Sequence, residues 1–486
     1  MKFFRSLIYL ACALAICSSC IKNGEDESPE AQQIHTLNYV NKFAFNVMSV
    51  YYLWVDEIQD GLKSWMSDDD PKAKVKEVRY KDPTGKDIDR WTQVTDDYES
   101  FVKSIEGVST TYGYEFTLYY ANADRTYVEV CVTVVYAGSP AEKAGLARGD
   151  LISKVDGSPI PTTEYSDIVK NKIMYSSHCK LGLEDGRELE MDAVEMYCDP
   201  MHAARVFDCG GKKVGYLHYT SFTLASCPDI IKTFEAFKAQ GISELILDLR
   251  YNGGGYVQVE EVFASMIAPA AKVASGDVFM TEVYNQTLTD AWGDEEKNTH
   301  FRNKFKINGV SYDTSESNLG LTKVYAIMAS GSASAAEALI CGLKPFTDLT
   351  IVGEQTYGKY CTGIVLEGAD WYESYKKQLS SSDYKGGIKY AKNWGIYVMI
   401  GRYADRDGNT PCMPDGFIPD IEVYDNPLDG YQLGDPNETM LKTVLTLAGY
   451  EYPAEPASVK KKPATIKGPA SPKRETFGVF LSRQSI

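Results

Sequence analysis

The sequence predicts a multidomain α/β protein, with a small N-terminal helical domain, a β-rich domain and a larger α/β core. Three observations lead there. A chain of 486 residues exceeds what one compact core holds, so about two to four domains are expected. The apolar pattern changes period, from helical spacing within residues 34–106 to clean alternation over residues 126–135. From residue 194 onward, short apolar runs rich in branched side chains alternate with helix-like stretches, as an α/β domain requires.

The N-terminus is a targeting segment. Lys2 and Arg5 precede an apolar run from Leu7 to Cys17, too short to span a bilayer as a stable helix. Ser18-Ser19-Cys20 then resembles a bacterial lipoprotein cleavage site, which makes residues 1–19 a signal peptide and Cys20 the acylated first residue. Cys17 departs from that pattern, where leucine is usual, and an ordinary signal peptide cut elsewhere is the alternative. A redox pair of Cys17 and Cys20 is disfavoured because both lie inside the signal. Residues 20–33 read as a polar tether whose acidic start, Glu25-Asp26-Glu27, resembles the signals that send some lipoproteins to the cell surface. The expected location is therefore the bacterial cell envelope, with a lipid anchor in the membrane.

Charge excludes one class of partner. The net charge is −17, and removing Lys2 and Arg5 with the signal takes it to −19, so nucleic acid is not expected to bind. Beyond Cys20 the cysteines are Cys131, Cys179, Cys198, Cys209, Cys227, Cys341, Cys361 and Cys412. Their spacing fits no metal site. An oxidising compartment permits disulfides, but spacing fixes no pairing.

Residues 34–106 carry Tyr39, Phe43, Val47, Met48 and Tyr51 at helical spacing, then a loop over residues 65–92 and a second helix over residues 96–105. Residues 107–193 hold the alternating strand of residues 126–135. After it come Gly138-Ser139-Pro140-Ala141-Glu142-Lys143-Ala144-Gly145-Leu146 and Gly149-Asp150-Leu151-Ile152. Ser139 is placed to cap a short helix with Pro140 at its first position, and Gly145 to end it. This series resembles a PDZ domain, a fold that binds peptide C-termini by strand addition. The usual carboxylate-binding glycine loop is not evident in Tyr112-Gly113-Tyr114-Glu115-Phe116. Residues 451–486, rich in Pro, Lys and Ser, read as a basic disordered tail.

The chemistry concentrates in residues 194–450. A buried strand over residues 245–249 ends in Gly253-Gly254-Gly255. Residues 324–328 lead into Ser330-Gly331-Ser332-Ala333-Ser334-Ala335-Ala336-Glu337, a strand-to-helix corner that presents a serine. Ser334-Ala335-Ala336-Glu337 is also a capping box, and taken alone such a serine is more often a cap than a nucleophile. Three features change that balance. The helix start supplies free backbone N–H groups and positive dipole character. The triple glycine brings a second set of amides and lacks both the dinucleotide fingerprint and the phosphate-loop lysine. Lys359 follows in Gly353-Glu354-Gln355-Thr356-Tyr357-Gly358-Lys359, where aromatics and glycine permit burial and so a depressed pKa. A neutral lysine is a competent base for a serine. The five histidines offer no triad of comparable quality; His218 reads as packed or partly exposed.

Together with Leu247-Asp248-Leu249-Arg250-Tyr251-Asn252-Gly253-Gly254-Gly255 and Asp415-Gly416-Phe417-Ile418-Pro419-Asp420, these motifs resemble the C-terminal processing peptidases, also called tail-specific proteases. The resemblance covers about residues 110–430, and Tyr51-Tyr52-Leu53-Trp54 resembles the N-terminal domain of members from Bacteroidetes-like bacteria. It implies a crotonase-like α/β catalytic core and serine endopeptidase activity on proteins or peptides, without metal or organic cofactor. The PDZ-like domain would engage substrate or gate the site. Ser334 matches the nucleophile and Lys359 the general base. Glu337 and Thr356 match supporting positions, and the amides of Gly253 or Gly254 with Ala335 match the oxyanion donors. One position departs: many members carry a glutamine four residues after the lysine, and here Gly363 stands there. The lysine must then be oriented by another group, Thr356 or Glu337, or activity is reduced. The alternative reading is a catalytically weak or inactive peptide-binding lipoprotein.

Overall fold

The computed structural model describes residues 28–293 and 295–452. The signal segment, Cys20 and nearly all of the tail lie outside the described residues. The architecture is multidomain α/β, with N-terminal helices, a β-rich domain of the expected PDZ kind and a larger α/β core.

The core is organised by one six-stranded sheet. Its strands are β1 (Met201–Cys209), β2 (Lys212–Tyr219), β3 (Glu244–Asp248), β4 (Lys323–Met328), β5 (Asp348–Gly353) and β6 (Ile421–Glu422), adjacent in that order. β1 and β2 form an antiparallel hairpin, and every later pairing is parallel. Strands covered on both faces read as continuous apolar runs, which is why β3 and β4 show little alternation. The carboxyl ends of β3, β4 and β5 all point to one edge, where ligands of open α/β sheets are held.

The core also contains a second sheet. Its long strand Gly395–Asp405 pairs with Cys361–Glu367, Val278–Tyr284 and the short Gln93–Thr95. The helix Ala335–Leu343 lies in the core with all nine residues buried. Its alanines let it pass close to its neighbours, while Leu339, Ile340 and Leu343 each contribute roughly 1.5–3 kcal/mol of burial.

Several sequence expectations change here. The helix Pro29–Tyr51 begins inside the expected tether, with Ser28 as its cap and Pro29 at its first turn. Residues 65–92 are not all loop, because Asp70 caps a helix over Pro71–Val78. The helices also share their core with the catalytic region. Phe43, Val47 and Tyr51 pack with Ile396, Val398 and Ile400. A strand from this segment, Gln93–Thr95, completes the second sheet. Of the eight cysteines after Cys20, seven are buried.

The PDZ domain has its own six-stranded sheet and its own core, with Val130, Val132, Ile152 and Leu181 at the centre. Ser139 caps Pro140–Lys143 and Gly145 takes a positive φ just after it, as the local sequence requires. The strand Tyr114–Tyr120 is an edge, paired on one side only by Tyr127–Val135.

A buried ion network ties this domain to the core. Arg148 donates to Asp425 at 2.6 Å and to the Tyr251 hydroxyl at 2.7 Å. Arg250 bridges Asp248, Asp425 and Glu438, and is fully enclosed. Removing one partner of a buried pair strands the others. Arg148→Ala is therefore expected to lower stability by on the order of 3 kcal/mol. A urea-unfolding midpoint equal to wild type would contradict this.

Candidate active site

The corner after β4 is built by hydrogen bonds that leave one serine to present. Ser332 is pinned: its hydroxyl donates to the Leu249 carbonyl and accepts from the Ala329 amide, both at 2.9 Å. Ser334, two residues on, takes φ 60° and ψ −116°, a sparsely populated region for a side chain with a Cβ. Backbone held in such a state persists only when its surroundings over-determine it, and it clusters at functional sites.

The surroundings here are specific. The triple-glycine turn docks on the corner through the Ala333 amide, which donates to the Asn252 carbonyl at 2.9 Å. Asn252 is held in turn by its amide donating to the Tyr219 carbonyl at 2.9 Å. Gly254 has φ +109°, and a Cβ there would lie 2.8 Å from the Ser334 Cβ and 3.0 Å from the Ala335 nitrogen. Only glycine allows that approach. The Gly254 amide donates to Asn252 Oδ1 at 2.9 Å. The amides of Gly253 and Ala335 donate to no acceptor among the described residues.

Lys359 arrives from the other side, on the loop between β5 and the strand Cys361–Glu367. That loop is clamped by the closing motif. The Phe417 amide donates to Thr356 Oγ1 at 2.7 Å, and the Thr356 amide to the Phe417 carbonyl at 3.1 Å. Glu337 joins the two halves. Its Oε2 accepts from the amides of Ser334 at 3.1 Å and Lys359 at 2.8 Å. Its Oε1 accepts from the Gly358 amide at 2.8 Å and from the Thr356 hydroxyl. Burial pushes the Glu337 carboxyl up, and these four hydrogen bonds oppose that shift. The hydroxyl of Tyr403 repeats the connection, donating to the carbonyls of Lys359 at 2.8 Å and Ser334 at 3.4 Å. The backbones of Ser334 and Lys359 are thus brought together through shared partners.

The Lys359 side chain is 2 % exposed and makes no ion pair among the described residues. Its Nζ lies 5.4 Å from the Trp91 ring centre and 4.9 Å from that of Tyr397, and it donates to the Tyr397 hydroxyl at 3.0 Å. Burial lowers its pKa from the usual lysine value to about 7, outweighing the nearby Cys361, Asp89 and Glu337, which favour the charged form. Trp91 reaches this position because Asp89 accepts from the amides of Trp91 at 2.9 Å and Thr92 at 3.0 Å. Asp89 is held by the Tyr52 hydroxyl at 2.9 Å. The aromatic motif near residue 52 therefore supports the lysine pocket from a distance in sequence.

His218 forms no triad. It is fully buried, neither ring nitrogen has a partner among the described residues, and burial holds its pKa well below the usual value. Ser334, Lys359, Glu337 and Thr356 meet in one place; Cys20 lies outside the described residues. Tyr397, Tyr403 and Trp91 escaped the sequence reading, since each acts through tertiary contact and none stands in a recognisable motif; Asn252 stands in the glycine motif, but its side-chain role was not read there.

Residues 213–423 match the Peptidase family S41 model, and residues 131–172 match the PDZ domain model. Over 258 residues the chain is 26% identical to the chloroplastic C-terminal processing peptidase of Tetradesmus obliquus, with 50% of each chain covered. Over 337 residues it is 26% identical to the carboxyl-terminal-processing protease of Synechocystis sp. (strain ATCC 27184 / PCC 6803 / Kazusa), covering 67% of this chain and 66% of that one. The chain thus spans half to just under two thirds of the length of these relatives. Its fold matches a crystal structure from Bacteroides fragilis NCTC 9343, described as a candidate S41 protease, with a TM-score of 0.62 and 22% identity, covering 83% of this chain and 96% of that one. The chain is thus similar to S41 peptidases over residues 213–423 and to PDZ domains over residues 131–172.

Proposed function

We propose that the protein is a serine endopeptidase that works through Ser334 and Lys359. The observation that supports this most is the buried lysine without an ion-pair partner, on a loop fastened to the strained serine by Glu337. A lysine whose pKa falls to about 7 is neutral in much of the protein at neutral pH and can take the Ser334 proton. The alkoxide attacks the scissile carbonyl, and the oxyanion is held by the unengaged amides of Ala335 and Gly253. The lysine ammonium then protonates the leaving amine, and water repeats the sequence on the acyl-enzyme. Gly254 serves by close packing, since its own amide is engaged.

Ser334 is 0 % exposed, so a peptide reaches it only after surrounding loops shift. The edge strand Tyr114–Tyr120 offers the PDZ domain an open side for strand addition, which makes proteins or peptides with accessible C-termini the substrate class. Cleavage of casein by wild type and not by Ser334→Ala tests the reading. Equal, absent cleavage by both would favour the non-catalytic peptide-binding alternative.

The cellular location is part of the same proposal. The N-terminal sequence supports lipid attachment at Cys20 and residence in the bacterial envelope. Cys20→Ala is expected to move the protein from the membrane to the soluble fraction. An unmodified N-terminus at another residue, found by mass spectrometry, would refute the anchor.

A further inference from the structure

The strand Gly395–Asp405 pairs with Cys361–Glu367 just beyond the lysine loop, with Met399 opposite Gly363 and Tyr397 opposite Val365. From that register the Tyr397 ring leans over Gly363. A Cβ at residue 363 would lie 2.3 Å from Tyr397 Cε2, 2.7 Å from its Cζ and 2.5 Å from Met399 Cε. No side chain fits at 363 while the ring stays where it is. The ring also packs against Phe101, whose centre is 6.3 Å away, and Tyr397 is 1 % exposed. Its hydroxyl ends 3.0 Å from Lys359 Nζ.

Lysine has four rotatable side-chain bonds, and a base must hold its lone pair in one direction. The faces of Trp91 and Tyr397 attract the amine without fixing its orientation. Among the described residues, the Tyr397 hydroxyl is the directional partner of Nζ. A neutral acceptor suits the task. A carboxylate there would strongly favour the ammonium and raise the pKa, whereas a phenol oxygen accepts an N–H from either form and favours the ammonium only modestly. The amine keeps its lone pair for another proton.

We propose that Tyr397 is the positioning residue of the general base, with Gly363 kept small so that the Tyr397 ring can reach Lys359. This rests on the Ser–Lys reading above. It also answers the absence of a polar side chain at residue 363, since the orienting group comes from the neighbouring strand.

The test uses the full mature protein and two readouts. The first is the pH–rate profile on a fluorogenic peptide. The second is titration of the Lys359 Cε resonance by carbon NMR, which requires no activity. Tyr397→Phe keeps the ring and removes the hydroxyl. The expected result is a plateau kcat lower by about 10- to 100-fold with little change in KM, as for loss of a hydrogen bond to a charged group. Both midpoints should move to lower pH, because the ammonium loses an acceptor. Cys361, Asp89, Glu337 and Arg90 also face this amine and are the same in both proteins, so the difference reports on the hydroxyl. Gly363→Ala should displace the ring and give the same change, and it should add little to kcat in the Tyr397→Phe background. Melting temperatures check that each variant is folded. A plateau rate and an NMR midpoint in Tyr397→Phe both equal to wild type would overturn the proposal. Wild-type cleavage that persists in Ser334→Ala would instead refute the Ser–Lys reading, and the NMR arm would still decide whether Tyr397 holds the lysine.

Discussion

Ser334→Ala is expected to remove peptide hydrolysis, by about 10⁴-fold or more, and to leave the fold nearly intact. Both halves follow from the corner. In the proposed mechanism the nucleophile is a single oxygen, and Ser332 cannot replace it because its hydroxyl is committed to Leu249 and Ala329. Oxyanion amides alone retain only a small residue of catalysis. Stability changes little because alanine meets the same backbone strain as serine and loses at most a cap, worth about 1 kcal/mol. The bonds that hold the corner come from the backbone and Glu337, which the substitution leaves in place. The measurement is casein or peptide cleavage beside a thermal melt. Retained cleavage would move the nucleophile elsewhere; loss in Ser332→Ala with retention in Ser334→Ala would move it to Ser332.

Much of this site was legible in the sequence because its parts are local. The serine corner is a strand, a tight turn and a helix in one continuous run, and each piece has its own signal. The helix Ala335–Leu343 follows from alanines and leucines after a capping sequence, and the glycine turn from three glycines after an apolar strand. The PDZ helix cap at Ser139 is equally local. Features made by distant segments were not legible. Tyr397 and Tyr403 belong to an eleven-residue strand that reads as ordinary core, and only its register against Cys361–Glu367 aims them at Lys359 and Ser334. Trp91 sits in a polar stretch with no periodicity, and its position depends on Asp89 and Tyr52, far apart in the chain. The same lack of periodicity hid the helix Pro71–Val78, whose Asp70 cap and Pro71 are signals easily taken for a loop. Which glycine amide stays unengaged in the triple-glycine turn depends on how the Asn252 side chain folds back, which residue types alone do not fix.

Lys359→Arg is expected to be as inactive as Lys359→Ala, and wild-type activity is expected to rise with pH to a plateau with a midpoint near 7. The midpoint follows from burial, which lowers the lysine pKa to about 7. The inactivity of arginine follows from its guanidinium, which stays protonated and cannot accept a proton. The same shift has a consequence for stability. An unfolded lysine titrates near pH 10.4, so between about 7 and 10.4 the unfolded chain binds the proton and the folded protein does not. Stability therefore rises with pH across that window, and below about 7 the burial of the ammonium is fully unfavourable. Lys359→Met removes that cost. It should be inactive yet more stable at pH 6–7, by at most on the order of 4 kcal/mol, with the gain fading toward pH 10. The lost hydrogen bond to Tyr397 and the lost contact with Trp91 offset part of it. Kinetics and melting curves across pH read both effects. An active Lys359→Arg would remove the lysine from the role of base, and a Lys359→Met less stable at every pH would show that the buried amine is held charged by its neighbours.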